Sequence, residues 1–466
     1  MRALRHMGVV AAGTVVGQVC LMASTPVLTR LYDPVQIGYL TLFASYIGLL
    51  ATTVSLHFEL AIPLPASRRQ AATLAALAVA VALAQSALVA AALPLLGPWL
   101  FGAEWHTQIG WAAYWWPLTL ALIGVSGVLM HLAVRAQRFG AIGASRGLQG
   151  AVQAAGQVGS GIAGLPWTWL LAAQAAGIAA GMAPLARSGG VPGGPAAPRL
   201  RRLAAAARRH AAFPLASTPS SLLNAVANNL PPILLAWRHG PAAAAMYGVA
   251  MRILLVPARF LGQAVSQVVL GHAPDAARTG VLAREVTAMA RLLCMLSVHI
   301  FVPTALFAGP LFRVAFGADW ADSAVYAQCL APWLLTSFVA TPLSMLVTVL
   351  GQQRRELCFQ AVLVATLLVA LLAGSLSAEP VVAVAVLGVL AGIVQGVKAR
   401  WLLGIAGCDA AAVLRTAGRE VLLVAAAYLP LLAITSTWSD LAVIALAAPW
   451  ALAFEWYSLR VRRLYG

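Results

Sequence analysis

Two arginines, Arg252 and Arg259, stand seven residues apart inside a long apolar stretch. Seven helical residues make nearly two turns, so both guanidinium groups fall on one face. An arginine at the centre of a bilayer costs ~3 kcal/mol on insertion scales, so it faces a wet cavity or a partner. Its planar fork binds two oxygens of a phosphate at once. The pair therefore offers an anion site; a salt bridge or a backbone clamp between helices is the alternative. A second set is Arg146, Gln149, Gln153 and Gln157, spaced by three, four and four. That spacing draws one helical face carrying a cation and three amides. Such amides line a polar path suited to a sugar, or they hydrogen-bond across helices. Asn224, Asn228 and Asn229 leave the same two readings open. Arg30, at the end of the first apolar stretch, meets a departing anion or complements the helix dipole. Glu59, beside His57 in HFELAIPLP, is an ion-coupling carboxylate or a salt-bridge partner of Arg259 or Arg146. Gln18 and Gln85 stand alone.

These residues must be positioned by membrane helices. The 466 residues are 61% apolar and only 9% charged, against roughly a quarter charged in soluble domains. Fourteen apolar segments can be marked, each near the length that spans a bilayer. The first, after MRALRH, is longer than a signal-peptide core and is expected to be a retained membrane helix. The stretch 36–62 reads as one continuous span. The net charge of +17 lies in short clusters between the spans, which excludes a nucleic-acid groove. Counting loops from the N-terminus puts nearly all loop arginines, with Lys398 counted among the loop charges, on one side, and only Arg30, Arg238 and Arg313 on the other. This bias predicts that both termini are cytoplasmic. The five cysteines form no Cys-x-x-Cys pair and act as small hydrophobes.

The chain also repeats itself. LYDPVQIGYL at 31–40 answers RHGPAAAAMY at 238–247, FGAEW at 101–105 answers FGADW at 316–320, and RAQR at 135–138 answers GQQR at 351–354. The offsets are nearly equal, and the repeating unit holds six spans. An even number makes the two halves parallel, related by an axis along the membrane normal. The expected architecture is all-α: a six-helix lobe at 1–186, a basic cytoplasmic linker at 187–212, and a second six-helix lobe at 213–405. Two extra helices and a cytoplasmic tail follow at 406–466. Transporters place substrate in the cavity that such halves enclose. At the 207-residue offset Arg252 and Arg259 align with Ser45 and Thr52, so the deep charge belongs to the second half. The linker ends in PRLRRLAAAARRH, a basic amphipathic helix for the inner leaflet or a plain topology anchor.

PVLTRLYDPVQIGYL, HFELAIPLP at 57–65, FPLASTPSSLLNAVANNLPPILLA at 213–236 and GPAAAAMYGVAMRILLVPARFLGQAVSQV, ending at Val268, carry a family resemblance. Together they resemble the bacterial O-antigen and exopolysaccharide flippases of the multidrug/oligosaccharidyl-lipid/polysaccharide exporter superfamily. The resemblance implies a bacterial inner-membrane flippase for an undecaprenyl-pyrophosphate-linked oligosaccharide, working by alternating access. It implies a lipid-linked substrate, membrane lipid, and a polysaccharide polymerase and glycosyltransferases of one pathway as partners. Arg252, Arg259, Arg146 and Arg30 are then candidates for the pyrophosphate. Gln149, Gln153, Gln157, Asn224 and Asn228 are candidates for the glycan. Peptidoglycan-precursor flippases and cation-coupled multidrug exporters of the same superfamily are alternatives, and a membrane polysaccharide polymerase is one from another class. The sequence has no P-loop, no metal-ligand cluster and no nucleophile motif, so no enzyme, cofactor or metal is expected.

Overall fold

The computed structural model describes residues 2–101, 105–188, 200–211, 213–255, 281–374, 376–434 and 439–445. Among them all regular structure is helical, and nine helices are long and apolar enough to cross a membrane. The chain divides into two compact units, Met1–Ala242 and Ala243–Gly466.

The first unit contains α1 (Arg2–Leu31), α2 (Pro34–Ala51), α3 (Arg68–Phe101), α4 (Trp115–Arg135), α5 (Phe139–Ile162), α6 (Thr168–Arg187), α7 (Leu200–Arg209) and α8 (Thr218–His239). α1 and α5 pack backbone to backbone. A Cβ added at Gly150 would lie 2.4 Å from the Gly17 Cα, and one at Gly13 would lie 2.0 Å from the Gly143 carbonyl oxygen. Small residues allow this approach where lipid supplies no hydrophobic drive between helices. α2 starts at a capping box: Gln36 N donates to Asp33 Oδ1 at 2.9 Å and Asp33 N to Gln36 Oε1 at 3.2 Å. Pro34 follows at the first helical position, where its missing N–H costs nothing. An aromatic core stacks Tyr39 on Trp167 at 5.0 Å, Phe43 on Phe101 at 5.4 Å and Tyr46 on Trp116 at 5.2 Å.

The second unit contains most of α9 (Pro241–Leu255), then α10 (Leu282–Leu306), α11 (Ala308–Phe316), α12 (Asp322–Leu343), α13 (Met345–Val349), α14 (Gln353–Gly374), α15 (Pro380–Ile405) and α16 (Ala410–Ile434). Its pairings α10·α12, α12·α15 and α14·α15 reproduce α3·α4, α4·α6 and α5·α6 of the first unit. The repeated motifs also fall at matching junctions. Pro34 and Pro241 open α2 and α9, RAQR ends just before α5, and GQQR runs into the first residues of α14. The division by packing differs from the division by repeat at α8. The repeat opens the second lobe with this helix, whereas its contacts are with α2.

Three expectations change. The stretch 36–62 is not one helix: α2 stops at Ala51, turns follow, and Phe58–Ala61 form a single 3-10 turn. Leu56 and His57 adopt left-handed backbone, with φ of 50° and 60°, which is rare for residues with a Cβ. The basic helix α7 does not spread its apolar face on lipid. Leu203, Ala206 and Ala207 pack on a core cluster that includes Leu74, Leu77, Val128 and Leu132. Lys398, read as a loop charge, is 8% exposed inside α15 and pairs with Glu356 of α14.

Candidate functional site

Arg146 lies two turns into α5 and is exposed on one side. Its guanidinium reaches the Met130 sulfur of α4 at 3.5 Å. No carboxylate among the described residues pairs with it. The amides that follow on α5 turn toward α6. Added Cβ atoms at Gly181 and Gly177 would lie 3.1 Å from the Gln149 Cβ and 2.8 Å from the Gln153 Cβ. Gln157 is buried and donates to the Leu170 carbonyl at 3.4 Å. The stripe therefore changes character along its length, from an open cation to an amide joining two helices.

On α8, Asn224 and Asn228 are both exposed, one turn apart. Asn228 Nδ2 donates to the Asn224 carbonyl at 2.7 Å and approaches its Oδ1 at 3.3 Å. Exposed amides on a membrane helix face water more readily than lipid. Asn229 instead packs on α2, where a Cβ at Gly48 would lie 2.3 Å from its Oδ1. Arg30 is exposed at the end of α1, far along the helix from Gly17, which neighbours Arg146. Arg252 is exposed on α9, in the second unit. Arg259 lies outside the described residues.

The segment after α2 forms a polar site that the sequence pattern conceals. His57 projects from its left-handed backbone to two hydroxyls of α8: Nε2 lies 3.0 Å from Ser221 Oγ and Nδ1 3.4 Å from Thr218 Oγ1. Glu59 accepts a short hydrogen bond from Ser55. Among the described residues that is its partner, rather than Arg146. The Gln85 amide of α3 and the Thr53 hydroxyl are 3.1 Å apart. Arg135, ending α4, donates to the carbonyls of Ile62, Pro63, Pro65 and Ala66. Carbonyls freed from a helix in a membrane need such donors. Its sequence signals are His57 and Glu59 of HFELAIPLP, Pro63, Pro65 and the lone Gln85; its partners on α4 and α8 carry none. No group of three or more metal-ligating side chains occurs among the described residues.

A family model described as "Polysaccharide biosynthesis protein" matches residues 194–325. No curated protein sequence matches the chain. Among solved structures it is similar to the lipid II flippase MurJ in an inward closed conformation. That match has a TM-score of 0.79 and 11% identity, covering 99% of this chain and 100% of that one. An inward-facing multidrug resistance MATE family transporter of the MOP superfamily gives 0.66 and 15%, covering 84% and 95%. A mutant of the Vibrio cholerae MATE transporter VcmN gives 0.53 and 15%, covering 86% and 95%. The chain shares the all-helical fold of these solved structures, and its residues 194–325 match the family model described as "Polysaccharide biosynthesis protein".

Proposed function

We propose that the protein is a flippase for a lipid-linked oligosaccharide. It moves an undecaprenyl-pyrophosphate-linked repeat unit from the cytoplasmic to the periplasmic leaflet of a bacterial inner membrane, by alternating access. The observation that carries the reading is Arg146: a cation two turns into α5, open on one side, with no carboxylate partner among the described residues. A charge there needs an anion, and a pyrophosphate is one that a guanidinium holds in two places. Multidrug exporters that take cations need embedded carboxylates instead. The polysaccharide-biosynthesis match at 194–325 supports the same substrate class.

In this reading Arg146, Arg252 and Arg259 draw in the pyrophosphate, and Arg30 meets it on the far side. Asn224, Asn228, Gln149 and Gln153 serve the glycan, while Gln157 is occupied in joining α5 to α6. Glu59 lies in the unwound segment, where an ion-coupling carboxylate would act. Glycosyltransferases would supply the substrate and a polymerase would consume the product. The test is complementation of a strain lacking its own oligosaccharide flippase. The protein should restore surface polysaccharide, and Arg146→Ala should not while reaching the membrane in normal amount. Rescue of a strain lacking peptidoglycan-precursor flipping, without rescue of polysaccharide, would replace this substrate with the peptidoglycan precursor.

A further inference from the structure

We infer that the cavity between α7 and the start of α3 binds the phosphate group of a lipid. The cavity measures about 540 Å³ and lies wholly within the first unit. Arg69 and Gln70 enter it from α3; Arg202, Arg209 and His210 enter it from α7 and its end. This size falls within the range of small-molecule sites.

Negative charge is what the cavity lacks. Residues 1–242 contain three acidic side chains, Asp33, Glu59 and Glu104. Asp33 caps α2 and Glu59 accepts from Ser55. No carboxylate among the described residues pairs with Arg69, Arg202 or Arg209. Scattered topology charges would point separately into water. Here Arg69, Arg202 and Arg209 line one partly open cavity, held together because the apolar face of α7 is docked on the α3–α4 core. Arginine forks of this kind match phosphate oxygens.

The remaining walls decide between a lipid and a soluble anion. Leu64, Pro65, Leu74 and Ala206 line the cavity beside the arginines. A mixed apolar and cationic lining suits a headgroup with its first apolar atoms. The shared chemistry is a phosphate ester on a lipid, and two sources carry it: an anionic phospholipid of the same leaflet, or an undecaprenyl pyrophosphate. The site does not depend on which lipid the protein transports. Filling it would fix α7 on α3 and so order the connection into α8.

The experiment is native mass spectrometry of the full-length protein released from nanodiscs of phosphatidylglycerol and phosphatidylcholine. Wild type should retain phosphatidylglycerol, and each of Arg69→Gln, Arg202→Gln and Arg209→Gln should cut retention about tenfold, as expected for one charged hydrogen bond. Phosphatidylcholine adducts should not change. Loop charges also set topology, so a triple Arg→Lys variant that keeps them is measured alongside. It should lose retention because lysine lacks the fork. Added undecaprenyl pyrophosphate that displaces phosphatidylglycerol would support the isoprenoid source, and failure to displace would support the phospholipid. Undiminished retention in all three single variants and in the triple variant would overturn the site. Displacement by inorganic pyrophosphate at equal concentration would overturn its assignment to a lipid.

Discussion

The His57 Nε2 atom lies 3.0 Å from the Ser221 hydroxyl, joining an unwound stretch after α2 to the first turn of α8. Thr218, one turn earlier, holds the other ring nitrogen at 3.4 Å. A left-handed histidine is sterically costly, and these two bonds are what it gains. His57→Ala should lower the free energy of unfolding in detergent by about 1 kcal/mol for the better bond. Ser221→Ala should cost about the same, and the double variant little more than either. Fully additive losses would show that the two residues do not act together.

Arg146 and Gln157 share a helix face but have opposite settings. Arg146→Ala should stop polysaccharide export and leave thermal stability almost unchanged. Gln157→Leu should do the reverse, destabilising by about 1 kcal/mol, because it removes the hydrogen bond that joins α5 to α6. Export assays and thermal melts on both variants check this. Loss of export in a stable Gln157→Leu protein would return that amide to the glycan path.

The α1–α5 seam tolerates no side chain at Gly150. The atom that a Cβ would meet, the Gly17 Cα, is backbone and cannot swing away. Gly150→Val should therefore cost at least ~1–3 kcal/mol and lower the yield of folded protein. Gly127, with open space around it, is the control: Gly127→Ala should be neutral or mildly stabilising. Equal melting of wild type and Gly150→Val would contradict the packing described.

Glu356 and Lys398 form an ion pair between α14 and α15, and the second Glu356 oxygen is buried without a partner among the described residues. Removing one charge strands the other. Glu356→Ala should destabilise by ~3–5 kcal/mol, whereas Glu356→Leu with Lys398→Met should recover most of that. Melting of the three proteins decides. A double variant as unstable as Glu356→Ala would mean the pair is not isolated.

Composition and loop charge made the all-helical membrane fold legible, because lipid imposes length and apolarity on each span separately. The repeat was legible because its motifs mark helix junctions, where Pro34, Pro241 and Gly351 have backbone requirements of their own. The break after Ala51 was not. Residues 52–62 contain neither proline nor glycine to mark a break, and the donors that hold the segment open, Arg135 and Gln85, lie far along the chain. The Glu356–Lys398 pair was hidden for the same reason, since 42 residues separate its partners. Helical period correctly grouped Arg146 with Gln149, Gln153 and Gln157. It could not say that α6 covers the amides and leaves the arginine open.

The central claim is that Arg146, an open arginine with no carboxylate partner among the described residues, serves a pyrophosphate-linked sugar. It is tested most directly in proteoliposomes loaded with an undecaprenyl-pyrophosphate-linked oligosaccharide bearing a fluorescent sugar. The measurement is the rate at which a membrane-impermeant reagent gains access to that sugar across the bilayer. Wild type should accelerate access, and Arg146→Ala, reconstituted in equal amount, should return it to the protein-free rate. Equal rates for wild type and Arg146→Ala, or acceleration of a neutral glycolipid to the same extent, would contradict the claim.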